Sequence, residues 1–218
     1  RADLELPARH AERRRLRVAV SGASGLIGRS LVALLTTGGH RVVRLVRSGE
    51  EPAPDEARWS PDRGIDPRDR SRLEELDGVV HLAGENLADG RWTAARRERI
   101  RRSRIDGTRH LVASLAALER PPQSFVSASA IGFYGDRGER LLDESDGPGD
   151  GFLADLCQAW EREAASARRF ADRVTTLRFG VVLSPQGGAL ARMLPAFRLG
   201  AGGPLGSGRQ IVSWISVD

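Results

Sequence analysis

Short apolar runs alternate with amphipathic stretches along most of the chain, and this alternation predicts strands that are followed by helices. An apolar run at residues 16–20, a second strand pattern at 41–46 and a buried-type strand pattern at 79–82 are typical of a parallel sheet. A helical pattern over residues 30–35 separates the first two runs. Strand, helix and strand in this order predict an α/β fold, a doubly wound parallel sheet with helices on both faces.

The remaining sequence continues this alternation, with less regular patterning after residue 184. Gly107 leaves open an interruption in the longest of the later helices. The further predicted elements are a weak strand at 57–59, a short helix at 68–76, a helix at 92–118, a strand at 124–128, a loop at 131–150, a helix at 152–170, a strand at 174–179, a helix at 189–199 and a strand at 210–215.

The pattern divides the chain into a polar start and one domain. Residues 1–15 contain Pro7 and have no hydrophobic period of their own, so we expect a linker or tail there, and the domain over residues 16–218. The sequence does not begin with methionine, and its end at Ile215-Ser-Val-Asp218 resembles mid-domain sequence. We therefore expect a piece of a longer polypeptide, which leaves open a fused domain or partner before residue 1.

Cysteine content and hydropathy indicate the cellular setting. Cys157 is the only cysteine, so an internal disulfide is excluded and we expect a cytoplasmic protein, with Cys157 as a packing residue rather than a nucleophile. No apolar run approaches the roughly 18 residues of a membrane-spanning helix. We expect neither a membrane partner nor a metal site.

All of the positive side-chain charge comes from arginine and histidine, because the sequence contains no lysine. Two arginine clusters, at residues 13–17 and 96–104, have the charge needed to follow nucleic-acid phosphates. Aromatic residues are scarce and are not interleaved with these arginines, and Glu98 dilutes the second cluster. We therefore expect a solvated helix face, and nucleic acid is an unlikely partner.

A glycine-rich segment, Gly22-Ala-Ser-Gly25-Leu-Ile-Gly28, lies between the first predicted strand and the first predicted helix. Glycines at a sharp turn from strand to helix remove Cβ atoms, which lets backbone N–H groups and the positive helix N-terminus approach a pyrophosphate. Because a strand precedes the segment and a helix follows it, a dinucleotide-binding unit is a better interpretation than a turn without a ligand.

The end of the second predicted strand indicates which dinucleotide is bound. NAD-binding folds usually place an acidic residue here to hold the ribose 2′-hydroxyl, whereas this chain has Val46-Arg47-Ser48. A guanidinium can bind a 2′-phosphate through two hydrogen bonds, so Arg47 predicts NADP. A surface arginine is the alternative, and Glu50 and Glu51 leave room for NAD.

Several later segments, each longer than a single short motif, carry a resemblance to a known family. They are His81-Leu-Ala-Gly84-Glu85, Ala83-Gly-Glu-Asn86 with Arg91-Trp92, Ser103-Arg-Ile-Asp-Gly-Thr108, Ser127-Ala-Ser129, Tyr134-Gly135-Asp136, Leu177-Arg-Phe-Gly-Val-Val-Leu183, Met193-Leu-Pro-Ala-Phe-Arg-Leu-Gly200 running into Gly206-Ser-Gly-Arg-Gln210, and Trp214-Ile-Ser-Val-Asp218. With the glycine-rich segment, they resemble an extended short-chain dehydrogenase/reductase over nearly all of residues 16–218. More narrowly, they resemble the SulA-type subgroup of the epimerase family.

This resemblance implies a Rossmann-like domain that binds NADP, together with the start of a smaller C-terminal substrate lobe that family members complete with later segments. The implied cofactor-binding residues lie in the glycine turn, at the end of the second strand, after Trp59 and after the strand at 79–82. They are Gly22, Ser24, Gly25, Leu26, Ile27, Gly28, Val46, Arg47, Ser60, Ala83, Gly84 and Glu85.

The chain departs from the resemblance at the catalytic pair. Active members use a tyrosine and a lysine four residues later that lowers the tyrosine pKa, and this chain has no lysine. Ser129 matches the family's substrate-polarising serine, with a strand-end cap as the alternative. Tyr134 is a candidate replacement acid or a packed side chain. Arg104 lies near a proton-relay asparagine of the family, where a guanidinium could bind an anionic substrate but cannot act as a base.

The sequence therefore predicts an NADP(H)-binding oxidoreductase or nucleotide-sugar epimerase-like enzyme of atypical mechanism, acting on an unknown small-molecule substrate. The missing tyrosine–lysine pair favours an alternative from another class, a dinucleotide-binding regulator or redox sensor without turnover. The substrate itself cannot be predicted, because specificity in such folds depends on variable loops.

Overall fold

The computed structural model describes residues 14–47, 51–88, 90–204 and 206–217. Nine strands form in this part of the chain. They are β1 (Arg17–Ser21), β2 (Arg41–Val46), β3 (Glu56–Ser60), β4 (Gly64–Ile65), β5 (Gly78–His81), β6 (Ser124–Ala130), β7 (Arg173–Phe179), β8 (Val181–Ser184) and β9 (Trp214–Ser216). Seven of them form one sheet in the order β4-β3-β2-β1-β5-β6-β7, in which only the β3–β4 pair is antiparallel.

Four α-helices connect these strands, and none within the described residues has both the length and the apolar character needed to cross a membrane. They are α1 (Leu26–Thr37), α2 (Ala94–Ala116), α3 (Phe152–Ala165) and α4 (Gly188–Arg198). Strands β8 and β9 form a separate parallel pair, and the turn between β8 and α4 lies against the side chain of Leu26. The predicted α/β, Rossmann-like fold is therefore confirmed.

The sheet is covered on both faces, as the alternation of strands and helices predicts. On one face, Val18 and Val20 of β1 pack with Leu31 and Leu35 of α1. The opposite face carries the larger core, in which Ala19, Val43 and Phe125 of the sheet pack with apolar residues of the later helices. Successive residues of β1 point to opposite faces, so Ser21 at its end faces α2 and α3.

Some predicted elements differ from those observed. Helix α2 continues through Gly107, where a Cβ would lie 3.3 Å from Pro61, so this glycine permits close packing rather than an interruption. The short helix predicted at 68–76 is a 3₁₀ helix, Pro67–Leu73. Strand β8 was not predicted. Of the predicted tail, residues 1–13 lie outside the described part of the chain.

The glycine turn is fixed by close backbone contacts. Gly22 has a φ of +68°, in the left-handed region that favours glycine, and a Cβ there would lie 2.9 Å from the backbone nitrogen of Ala83. A Cβ on Gly28 would lie only 2.1 Å from the carbonyl oxygen of Gly22. Helix α1 can therefore begin directly above the turn only because residue 28 has no side chain.

The substitution Gly28→Ala is expected to lower the free energy of unfolding by about 2 kcal/mol or more, because the added methyl group meets rigid backbone. Gly147→Ala is the matched control, since a Cβ at Gly147 meets nothing within 4 Å. Its expected effect is within about 0.5 kcal/mol. Urea unfolding of both variants measures the difference, and equal stability of the two would contradict this packing account.

Candidate functional site

The order of the sheet places a crevice at the carboxyl ends of β1 and β5. Chain connections run outward in opposite directions from this point, where ligands bind in open α/β sheets. The glycine turn follows β1 and the segment at Ala83, Gly84 and Glu85 follows β5, so the two predicted cofactor-binding segments are neighbours. Their contact is direct, since Gly22 lies against the backbone of Leu82 and Ala83.

The N-terminus of α1 points into this crevice. Gly25 is its N-cap residue, no side chain caps the helix, and the first turn contains no acidic residue. The N–H groups of a first turn have no partner within the helix and carry a partial positive charge. Ser24 and Gly25 are exposed, and Leu26 and Ile27 are half-buried. This turn is built to receive an anion, as the glycine pattern predicts.

Arg47 lies just beyond β2 and is exposed, with no ion pair to any residue that the structure describes. Its neighbours Ser48 and Glu50 lie outside the described residues. Val46 pairs with Arg58 in the sheet. The hydroxyl of Ser60 accepts the backbone N–H of Arg63 at 3.2 Å, so it stabilises the turn after β3.

A chain of buried hydrogen bonds runs beneath the crevice, starting at Ser21. Its hydroxyl oxygen accepts the backbone N–H groups of Leu82 and Ala83 at 3.1 and 3.2 Å. Because both lone pairs are used, the Ser21 hydroxyl donates its proton to Nδ1 of His81, 2.6 Å away. This assigns the proton of the neutral His81 ring to Nε2.

The chain continues from His81 to the helices. Nε2 of His81 donates to the hydroxyl of Thr108 on α2 at 3.0 Å, and the same oxygen accepts Nε1–H of Trp160 on α3, also at 3.0 Å. Full burial lowers the pKa of His81 from 6.5 to about 4. These bonds join two strands and two helices under the cofactor turn, and their role is structural.

A second polar cluster lies at the ends of β6 and β7. The hydroxyl of Ser129, 3% exposed, donates to Oε1 of Glu161 on α3 at 2.6 Å. Arg178 binds both carboxylate oxygens of Glu161, each at 2.9 Å. The same guanidinium donates to the Tyr134 hydroxyl at 2.9 Å. Arg178 thus brings the two sequence-predicted catalytic residues, Ser129 and Tyr134, into one cluster.

Glu161 and Arg178 were not among the predicted site residues. Arg178 pairs with Ser129 in the register of β6 and β7, so its side chain lies on the same face of the sheet. Its Cζ lies 3.5 Å from the centroid of the Phe133 ring, and the bonds to Glu161 raise its pKa. Glu161 lies one helical turn after Cys157. The register and this helical spacing are the signals that could have identified both residues.

The first turns of α3 carry apolar residues where short-chain dehydrogenases place the tyrosine and lysine. Leu156 and Cys157 are both 3% exposed. Burial raises the pKa of the Cys157 thiol, while the Ser129 hydroxyl and the Arg104 guanidinium act in the opposite direction. A buried thiol of raised pKa fits the predicted packing role.

The arginine cluster at 96–104 is not simply a solvated helix face. Arg96 is 8% exposed and donates to the carbonyl of Asn86. Arg99 pairs with Glu85 at 3.2 Å, and Arg104 donates to the Glu85 carbonyl at 3.0 Å. These arginines therefore hold the loop after β5 in place.

No metal-binding group of three or more histidine, cysteine or acidic side chains occurs among the residues described.

The chain was compared with known families and structures. The model of the NAD dependent epimerase/dehydratase family matches residues 18–218. Epimerase family protein Mb2239 of Mycobacterium bovis is 44% identical over 202 residues, which are 92% of this chain and 65% of the relative. The chain thus spans less than two thirds of that relative's length.

Two solved structures are similar. One is a nucleoside-diphosphate sugar epimerase from Corynebacterium glutamicum, with 39% identity and a TM-score of 0.78, covering 93% of this chain and 41% of that protein. The other is human epimerase family protein SDR39U1 with NADPH, with 32% identity and a TM-score of 0.78, covering 93% of this chain and 66% of that protein.

The buried His81 predicts a dependence of stability on pH. Its folded-state pKa lies below the unfolded value, so its stabilising effect is complete above about pH 6.5 and decreases as the pH falls toward 4. The expected loss in the free energy of unfolding is on the order of 3 kcal/mol. His81→Gln should flatten this slope and His40→Gln should retain it. Equal slopes in the two variants, or an NMR-titrated His81 pKa near 6.5, would contradict the assignment.

Proposed function

We propose that this chain, which belongs to the NAD dependent epimerase/dehydratase family, binds NADP(H) in the crevice and belongs to an oxidoreductase or nucleotide-sugar epimerase-like enzyme. The glycine turn carries the proposal, because three of its positions exclude or crowd a Cβ while the uncapped helix N-terminus faces the crevice. A turn without a ligand does not need this combination of close backbone contacts and a bare helix end.

The residues present fit a nicotinamide dinucleotide. The pyrophosphate would bind the backbone at Ser24, Gly25, Leu26 and Ile27. Arg47, free of described ion pairs, would hold the 2′-phosphate of NADP(H). The human relative whose structure contains NADPH supports NADP over NAD. The adenosine end would lie between Val46 and Ser60, and the segment at 83–85 would line the nicotinamide half.

When bound, the nicotinamide would accept or donate the hydride. This chain's own residues must then accept or donate the proton of the substrate hydroxyl. Ser129 donates its proton to Glu161, so its oxygen would accept the hydrogen bond of a substrate hydroxyl. A proton leaving that hydroxyl would pass to Ser129 Oγ as the serine proton moves to Glu161. Arg178 holds Glu161 in place through bonds to both carboxylate oxygens.

Tyr134 provides a second proton donor within the same cluster. Its oxygen accepts a hydrogen bond from Arg178, which leaves its own proton to be donated. The relay through Ser129 and Glu161 would thus replace the tyrosine and lysine that the chain lacks.

A dinucleotide-binding regulator without turnover is the second candidate. The observation that favours it is the apolar start of α3, where buried Leu156 and Cys157 occupy the region of the usual catalytic pair. Tight NADPH binding without hydride transfer to any carbonyl or nucleotide-sugar substrate would support this candidate.

Arg47→Gln is expected to weaken NADPH binding about 10-fold to 100-fold while leaving NADH binding unchanged, because only NADPH carries the 2′-phosphate. Fluorescence titration of the full-length protein with both dinucleotides measures the change. Arg101→Gln removes another exposed arginine without a described ion pair and should alter neither affinity. Equal loss for NADPH and NADH would contradict the role of Arg47.

Glu161→Gln is expected to reduce hydride transfer at least about 100-fold, because the relay loses its proton acceptor, and to leave NADPH affinity within twofold. Single-turnover oxidation of bound NADPH during a screen of carbonyl and nucleotide-sugar substrates provides the readout. Glu163→Gln on the same helix is the control, since the Glu163 carboxylate pairs, among the residues that the structure describes, with the surface residue Arg109 alone. Full activity in Glu161→Gln would rule out the relay.

A further inference from the structure

Arg104 is a partly buried cation beside the crevice that has no acidic partner among the residues described. No carboxylate among the described residues lies within 4.0 Å of the Arg104 nitrogens. The carboxylate of Glu85 pairs with Arg99, and that of Asp106 pairs with Arg109. Burial lowers the pKa of Arg104 from its ordinary value, although an arginine stays charged. Charges removed from water are normally paired, and the nearby acid Glu85 acts on this guanidinium without forming an ion pair with it.

The hydrogen bonds of Arg104 leave one particular edge unused. Nη1 donates to the carbonyl oxygens of Glu85 and Ile100, at 3.0 and 3.5 Å. Nε and Nη2 donate to no residue in the described part of the chain. These two nitrogens form the edge of a guanidinium that binds both oxygens of a carboxylate side by side.

The guanidinium is held in position from several sides. Its Cζ lies 5.2 Å from the centroid of the Trp160 ring, and it would lie 3.1 Å from a Cβ on Gly84. Gly84 therefore makes room for Arg104, whereas the sequence assigned this glycine to the cofactor alone. The hydroxyl of Ser103 also accepts the backbone N–H of Glu85 at 3.0 Å, which fixes the loop that Arg104 holds.

We propose that the Nε and Nη2 edge of Arg104 binds a carboxylate of the substrate next to the dinucleotide. The proposal rests on the proposed function, in which the nicotinamide lies along residues 83–85, the segment that Arg104 contacts. A phosphate dianion would require a second cation, and the guanidinium groups of Arg99 and Arg178 are already paired with Glu85 and Glu161. The two unused donors of Arg104, Nε and Nη2, match the two oxygens of one carboxylate.

Malonate is the probe, with malonamide as the neutral control, titrated calorimetrically into the full-length protein with and without saturating NADPH. Wild type should bind malonate and not malonamide, and Arg104→Gln should weaken malonate binding at least about tenfold. Arg101→Gln removes an equal charge one turn earlier on α2 and should leave the affinity unchanged. NADPH affinity should be the same in wild type and Arg101→Gln, and in Arg104→Gln it should fall less than malonate affinity, because that variant also loses the bond to the Glu85 carbonyl.

Three results would overturn the proposal: no malonate binding to wild type, equal weakening by Arg101→Gln, or inorganic phosphate binding at least as tightly as malonate through Arg104. A parallel loss of NADPH affinity in Arg104→Gln would assign the guanidinium to the cofactor instead. Arg104→Lys serves if the glutamine variant does not fold, because it keeps the charge and loses the two-point edge. Malonate binding through Arg104 in a protein that does not bind NADPH would contradict the proposed function alone.

Discussion

The contact between the start of α1 and the carbonyl of Gly22 governs the rest of the site. A Cβ on Gly28 would lie 2.1 Å from that oxygen, so the helix can begin at this height only with glycine there. The same approach aims the bare N-terminus of α1 at the carboxyl ends of the strands. Gly22 in turn lies against the backbone of Ala83, which joins the turn after β1 to the segment after β5. The close backbone contacts of these glycines therefore position both the turn after β1 and the segment after β5, which border the crevice.

Two polar groups at the same end of the sheet have different roles. The bonds from Ser21 through His81 to Thr108 and Trp160 form a closed, buried system that fixes the floor of the crevice. The cluster of Ser129, Glu161 and Arg178 lies instead at the carboxyl ends of β6 and β7. The Arg178 and Glu161 side chains of this cluster are 20% and 15% exposed, whereas Ser21, His81 and Thr108 are fully buried. Exposure thus distinguishes the charged pair at the sheet end from the buried chain that holds the fold.

The sequence predicted most strands of the main sheet, because each contains apolar residues that are buried, such as Val43 and Leu45 of β2. Strand β8 was missed because a single residue, Gly180, separates it from β7 and its pairing with β9 depends on distant sequence. The site was predicted in part for the same reason. Local motifs identified the glycine turn and Ser129, whereas Arg178 is adjacent to Ser129 only through the register of β6 and β7.

A crystal structure of the full-length protein with NADPH would test the central claim most directly. The account predicts the pyrophosphate on the backbone N–H groups of residues 24–27, the 2′-phosphate within hydrogen-bond distance of Arg47, and the nicotinamide facing Ser129. A dinucleotide bound away from the glycine turn, or a 2′-phosphate that does not contact Arg47, would contradict it.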